Sequence, residues 1–306
     1  MKEMIKKVPV PLCGVMLGTA ALGNLLQSYS EGIRQVCGLF AALLLILILA
    51  KLICFPQMIK EDMKNPIMAS VAGTGSMALM ILSTYAKPWI GQAAYGIWLF
   101  AILLHVILIV YFTITFLCKL QMPKVFAIYY IVYVGIAVAA ITAPAYEQTA
   151  IGAAAFWFGF VSLILLLILV TYRYVTVKEV PDPAKPLICI YAAPASLCVA
   201  GYVQSVTPKS FGFLMALFVL ATVLYLFALV KAVGYLKMPF YPSYAAFTFP
   251  FVISAIAAKQ TMACAAKLGH PLLALSGLVL VETVIAVVLV VYTYIRFMMF
   301  LTAKNK

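Results

Sequence analysis

Few side chains in this sequence could take part in bond-making chemistry. The two histidines, His105 and His270, lie far apart in the chain. They assemble no metal cluster and no Ser/His/Asp triad with any other residue at a recognisable spacing. The seven cysteines, at positions 13, 37, 54, 118, 189, 198 and 264, include no CxxC pair, and most fall in apolar stretches. Such thiols read as small buried hydrophobes, not as a disulfide framework or a zinc site. There is no Walker A sequence and no dinucleotide fingerprint. No metal, no cofactor and no enzyme activity are expected. Glu282 is the only acid deep in an apolar stretch. It reads as a structural group, hydrogen-bonded or protonated at a helix or subunit contact, with a coupling proton site as the sharper alternative. His105 reads as a satisfied polar residue between helices. Tyr129, Tyr130 and Tyr133 could donate O–H groups to an anion, or serve as interfacial aromatics.

The chemistry that remains is the handling of charge. Lys and Arg number 21 against 8 Asp and Glu, a formal net charge of +13. In a soluble protein that excess would suggest a nucleic-acid partner. The rest of the composition forbids that reading. Apolar residues make up 66% of the 306 and charged ones 9%, with a mean hydropathy of +1.14. Soluble domains run at roughly 45–50% and about 25%. A soluble enzyme, a disordered chain and a disulfide scaffold are excluded. The continuous apolar runs, such as Leu43–Ala50 and Leu163–Val170, also exclude a β-barrel, whose strands alternate every residue. An all-α integral membrane protein is left, and its excess charge belongs to loops on one side of the bilayer. No nucleic-acid partner is expected.

Charge-poor stretches place ten spans at 9–28, 36–55, 66–85, 93–117, 125–143, 150–172, 187–205, 211–231, 242–259 and 272–298. Each is long enough to cross a hydrocarbon core of ~30 Å. The first, preceded by a basic Met1–Lys7, is read as an uncleaved span because no A-x-A-like site follows. Together they make a single transmembrane domain over 1–306. Arg34, Lys87, Lys209, Lys259 and Lys267 fall on one side of this arrangement, and the other sixteen basic residues on the opposite side. Basic residues concentrate on the cytoplasmic face, so both termini are expected in the cytoplasm, with the chain in the plasma membrane.

Prolines reveal a five-fold repeat. Pro11, Pro66, Pro123, Pro186 and Pro242 each open an odd-numbered span, at spacings of 55, 57, 63 and 56 residues. The even spans end alike, at Lys51, Lys119, Arg173, Lys231 and Arg296. Proline is a common first helical residue, so the signal lies in the constant phase. The odd spans are rich in small residues: GTAALGN at 18–24, ASVAGTGSMA at 69–78, GIAVAAITA at 135–143, YAAPASLCVAGY at 191–202 and SYAAFTFPF at 243–251. The even ones are bulky and aliphatic, as in LLLILILA at 43–50 and LILLLILV at 163–170. Small residues let helices approach closely. The expectation is five repeated helical hairpins, with an inner five-helix ring lining a pore and an outer five-helix ring around it. The odd spans carry no charge through their apolar cores. That argues against a carboxylate-coupled pump or a cation channel with acidic rings. A positive mouth above an uncharged lumen suits small anions.

With these motifs in view, the chain resembles the tellurite-resistance/dicarboxylate transporter family, which takes in fungal malate carriers and the slow anion channels of plant guard cells. CGVMLGTAAL at 13–22, NPIMAS at 65–70, IYAAPASLCVAGY at 190–202 and AAFTFPF at 245–251 carry the resemblance. It implies an anion channel, or as the alternative a secondary carrier for C4-dicarboxylates or for oxyanions such as tellurite or sulfite. It also implies a homotrimer whose protomers each hold a pore closed by a Phe of the ninth span, which maps best onto Phe249. On a continuous helix Phe247 and Phe251 share one face, and Phe249 points ~200° away from it. Inner helices of the family carry Pro or Gly midway. Gly14, Gly18, Gly73, Gly135, Pro194 and Pro250 are the corresponding pore-lining or kink positions, with Pro250 expected to kink the helix beside Phe249.

Overall fold

Residues 2–303 are described by a computed structural model, and among them every regular element is helical. Lys304 and Lys306, counted above among the sixteen basic residues, lie outside the described residues, as does Met1. The chain runs through α1 (Leu12–Leu26), α2 (Glu31–Cys54), α3 (Pro66–Ile90), α4 (Ala93–Phe112), α5 (Tyr129–Tyr133), α6 (Val138–Thr142), α7 (Thr149–Thr176), α8 (Ala193–Ser205), α9 (Phe211–Tyr235), α10 (Phe249–Lys267) and α11 (Leu275–Thr302). Two short helices, Lys2–Lys7 and Pro56–Asp62, flank α1 and α3. Ser30, Asn65 and Ser210 cap α2, α3 and α9 by accepting from backbone N–H groups of the first turn. Such donors have no partner inside the helix.

Eight stretches are long and apolar enough to cross a membrane: α2, α3, α4 with its π-turn Thr113–Leu117, α7, Asp182–Ser205, α9, Pro242–Lys267 and α11. The first and fifth of the expected spans come out shorter, as Leu12–Leu26 and Gly135–Tyr146. Fifteen residues of α-helix reach only about 22 Å. The fifth is also discontinuous. α5 gives way to a 3-10 turn at Gly135–Ala137, then to α6, then to a second 3-10 turn at Ala143–Tyr146 that contains Pro144. Gly135 weakens the helix and Pro144 cannot continue it.

Burial separates two kinds of element. In the membrane-length windows of α2, α4, α7, α9 and α11, between 22% and 33% of residues are buried, against 61–89% for α3, Asp182–Ser205 and Pro242–Lys267. Nearly all of α1 is buried as well. The buried elements touch in sequence: α1 on α3, α3 on α5 and α6, α6 on α8, α8 on α10, and α10 back on α1. Each exposed helix packs on the buried element that precedes it in the chain and touches the next one. The exposed set carries the bulky aliphatic sequences and the buried set the small-residue ones. Gly and Ala leave the backbone room for close packing, and Leu, Ile and Val suit hydrocarbon.

The five repeat prolines mark how the buried elements begin, but not always as α-helix. Pro11 directly precedes α1 and Pro66 is the first residue of α3. Pro123 sits in a 3-10 turn, Met122–Lys124, Pro186 inside the 3-10 segment Asp182–Ala192, and Pro242 at the head of the 3-10 segment Pro242–Phe247.

Candidate functional site

The five buried elements enclose a cavity of about 410 Å³. Residues from all five line it. Among the described residues, none from α2, α4, α7, α9 or α11 does. Its first lining residue along each element is Pro11, Asn65, Pro123, Pro181 or Pro242, and its last is Leu17, Met77, Gly135, Leu197 or Pro250. Asn65, Pro123, Lys124 and Pro181 are exposed, whereas Leu17, Met77 and Leu197 are buried. The cavity therefore opens at the proline end and closes at the other.

Its walls are mostly apolar, and among the described residues Lys124 is the only charged one that lines it. The acid nearest the rim in sequence, Asp182, sits between the lining residues Pro181 and Pro183 and is paired with Lys185 at 2.6 Å. No carboxylate faces the interior. Of the few polar groups, the Thr74 hydroxyl donates to the Val71 carbonyl at 2.6 Å and the Tyr130 hydroxyl to the Leu166 carbonyl at 3.3 Å. The buried Ser243 hydroxyl has no partner. It is a buried, uncommitted donor of the cavity wall, and its neighbours in the sequence gave it no distinguishing signal. Tyr133 is engaged elsewhere, with Thr113 at 2.9 Å, and Tyr129 packs edge-on against Phe112.

Phe249 lines the closed end and is 6% exposed. Phe247 and Phe251 are fully buried and do not line the cavity. Phe247 packs on Tyr244 with ring centroids 4.8 Å apart, and Phe251 meets Tyr225 of α9 edge-on at 5.7 Å. The reason for this separation differs from the one expected. Residues 242–251 are not one helix. The 3-10 segment ends at Phe247, the backbone leaves helical geometry at Thr248 (φ −98°, ψ −94°), and α10 begins at Phe249. Pro250 is consequently in the first turn of α10, where its missing N–H has no helical partner to lose. It does not kink a continuous helix. Pro194 stands in the same way just after Asp182–Ala192 changes into α8.

The break is held by α1. The Thr248 hydroxyl lies 3.0 Å from the Gly14 carbonyl and 2.7 Å from that of Ala245. A Cβ on Gly18 would stand 2.5 Å from the Thr248 Cβ and 2.9 Å from the Phe249 nitrogen. No side chain fits there without displacing backbone. Gly14, Gly135, Pro194 and Pro250 line the cavity with Phe249, while Gly18 and Gly73 do not. Gly18 faces the break from behind. Gly73 faces outward, where a Cβ would meet Leu108 at 2.9 Å and Ile131 at 3.2 Å. Beside it His105, fully buried, bridges Ser76 of α3 at 2.8 Å and the Val132 carbonyl of α5 at 3.1 Å. A carbonyl only accepts, so Nε2 carries the proton, and Nδ1 shares the single Ser76 hydroxyl hydrogen with the Gly73 carbonyl 2.9 Å from that oxygen. The ring thus ties the discontinuous fifth element to its neighbours. Glu282 is buried in α11, with Oε2 unpartnered, and does not line the cavity. No group of three or more His, Cys, Asp or Glu able to hold a metal occurs among the described residues.

A sequence profile of the voltage-dependent anion channel (SLAC1) family matches residues 7–300, nearly the whole chain. No curated protein matches it.

Proposed function

Because the chain belongs to the voltage-dependent anion channel family, we propose that it passes small anions down their gradient along this cavity, with the Phe249 ring as the closure. Membership and the eight long apolar helices make it a multi-pass membrane protein. The finer reading is ten crossings in five hairpins, with the buried elements as the inner ring. It rests on the circular packing order and on the two short elements, Leu12–Leu26 and Gly135–Tyr146, completing the count. The excess of basic residues at the ends of the exposed helices that precede each proline supports cytoplasmic termini in a plasma membrane. A homotrimer, each copy with its own path, is carried over from the family resemblance.

The observation that carries the function is the lining itself: mostly apolar walls, no acid, one lysine at the mouth, one free hydroxyl, and an aromatic ring at the closed end. Lys124 raises the local anion concentration at the mouth. Ser243 offers an entering anion a donor. No fixed countercharge holds the ion, so it leaves as readily as it enters. An apolar ring in such a lumen excludes water and leaves a dehydrated ion without partners.

Purified protein in liposomes loaded with potassium chloride tests this. On adding a potassium ionophore, potassium efflux, which an anion must accompany, should depend on the protein, stay unsaturated with chloride concentration, and vanish when gluconate replaces chloride. Saturable efflux that needs a proton gradient would instead identify a coupled carrier.

A further inference from the structure

Behind the wall formed by α1 and α3 lies a second cavity of about 410 Å³, bounded by α1, α2, α3 and α4. It shares that wall with the first. On α1, Gly14 and Leu17 face the first cavity while Cys13 and Met16 face the second. On α3, Thr74 and Met77 face the first, and Gly75 and Leu79 the second. The second cavity is a trough open to the outside between the exposed Leu49 and Leu52 of α2 and Ile107 of α4. That surface is the one these helices present to hydrocarbon. Along α2 it runs from Leu45 to Leu52, about 10 Å of helix.

One end of the trough is different. There Ile59 and Met63, on and just beyond the short helix Pro56–Asp62, reach its lining, and Lys51 is its only charged residue. The Lys51 ammonium donates to the Lys6 carbonyl and lies 3.5 Å from the Met58 sulfur. Residues 2–7 and 51–64 hold six lysines and three acids. Of those acids Glu61 is paired with Lys64 at 2.7 Å, and Asp62 is the one whose charge Lys51 feels. Partial burial holds the Asp62 carboxyl above the usual carboxylate range, with the Lys51 charge acting against that shift.

An apolar trough open to hydrocarbon and ending under a net positive cluster has the polarity of one molecule class. Empty, its lining would lose dispersion contacts on one side. Water gains nothing from apolar walls. Basic clusters at a membrane surface attract anionic headgroups. We propose that the trough holds one acyl chain of an anionic phospholipid, from the leaflet on the side of the N-terminus, with its phosphate at the exposed Lys6 and Lys60 that adjoin the buried Lys51. The site rests on the membrane placement of the helices and not on the identity of the transported ion.

The test uses the full chain in bilayer nanodiscs doped with phosphatidylglycerol carrying a photoreactive group on one acyl chain. After irradiation, adducts on peptides bearing Leu45–Leu52 and Gly75–Leu79 should exceed those on the equally lipid-exposed faces of α7 and α9 several-fold. Gly75→Leu fills the trough from inside, since a Cβ there meets only the Cys13 side chain, its sulfur at 3.4 Å and its Cβ at 3.9 Å. It should abolish the trough adducts and leave those on α7 and α9. Leu49→Trp, on the exposed rim, makes the same test without touching buried packing. With the neutral phosphatidylcholine analogue, or in the double variant Lys6→Gln with Lys60→Gln, trough labelling should fall several-fold. Even labelling of all exposed helices would overturn the proposal. So would trough adducts that survive both filling variants, or protection of the trough by a second copy of the chain seen as inter-subunit cross-links.

Discussion

Phe249→Ala should raise resting anion conductance about 100-fold at matched protein density. The ring lines the closed end of a cavity with no charged group at that depth. An ion passing a bare apolar constriction sheds hydration without compensation, which costs roughly 2–7 kcal/mol for a neutral polar group left without a partner and more for an ion. Every ~1.4 kcal/mol removed from a barrier is about tenfold in rate. Truncation leaves a gap that water can wet. The neighbouring aromatics provide the contrast. Phe247 and Phe251 are fully buried against Tyr244 and Tyr225. Their alanine variants should lose about 3–5 kcal/mol of stability, seen as a lower melting temperature in detergent, and leave the path shut. If either conducts while Phe249→Ala stays silent, the wrong ring has been assigned to the closure.

Gly18→Ala should open the path without touching the ring itself. Its new Cβ would stand 2.5 Å from the Thr248 Cβ and 2.6 Å from its hydroxyl oxygen. Overpacking of this kind costs about 1–3 kcal/mol, and here the strain falls on the residue joining the 3-10 segment to α10. Thr248 must move, and Phe249 moves with it. Resting conductance should rise by roughly tenfold, the change a barrier shift of ~1.4 kcal/mol gives. Gly96→Ala is the matched control: nothing lies within 4 Å of its added Cβ. Adding alanine to an exposed helix interior should be neutral or slightly stabilising. Equal currents from Gly18→Ala and the parent would mean that α1 does not position the closure.

The sequence carried the membrane class, the two kinds of helix and the starts of the buried elements, because these depend on composition and on residues with strong local preferences. Five prolines at near-constant spacing point to five beginnings without the structure. What stayed hidden depends on tertiary contacts. A 3-10 segment and an α-helix need the same residues at similar cost, so Pro242–Phe247 reads as helix until Thr248 is seen bonded to Gly14. The face arithmetic for Phe247, Phe249 and Phe251 assumed one helix, and the break makes it inapplicable. Gly73 shows another limit. Small residues let helices approach on any side, and at Gly73 they admit Leu108 of α4 and Ile131 of α5 where the cavity was expected. Ser243 gave no signal, since an unpartnered hydroxyl is visible only once its neighbours are placed.

The central claim is that an acid-free lining, charged only at Lys124, passes anions once the ring is out of the way. The reversal potential of the Phe249→Ala current across a planar bilayer, under a potassium chloride gradient, reads this directly. Reversal close to the chloride equilibrium potential is expected. Reversal near the potassium equilibrium potential would contradict it.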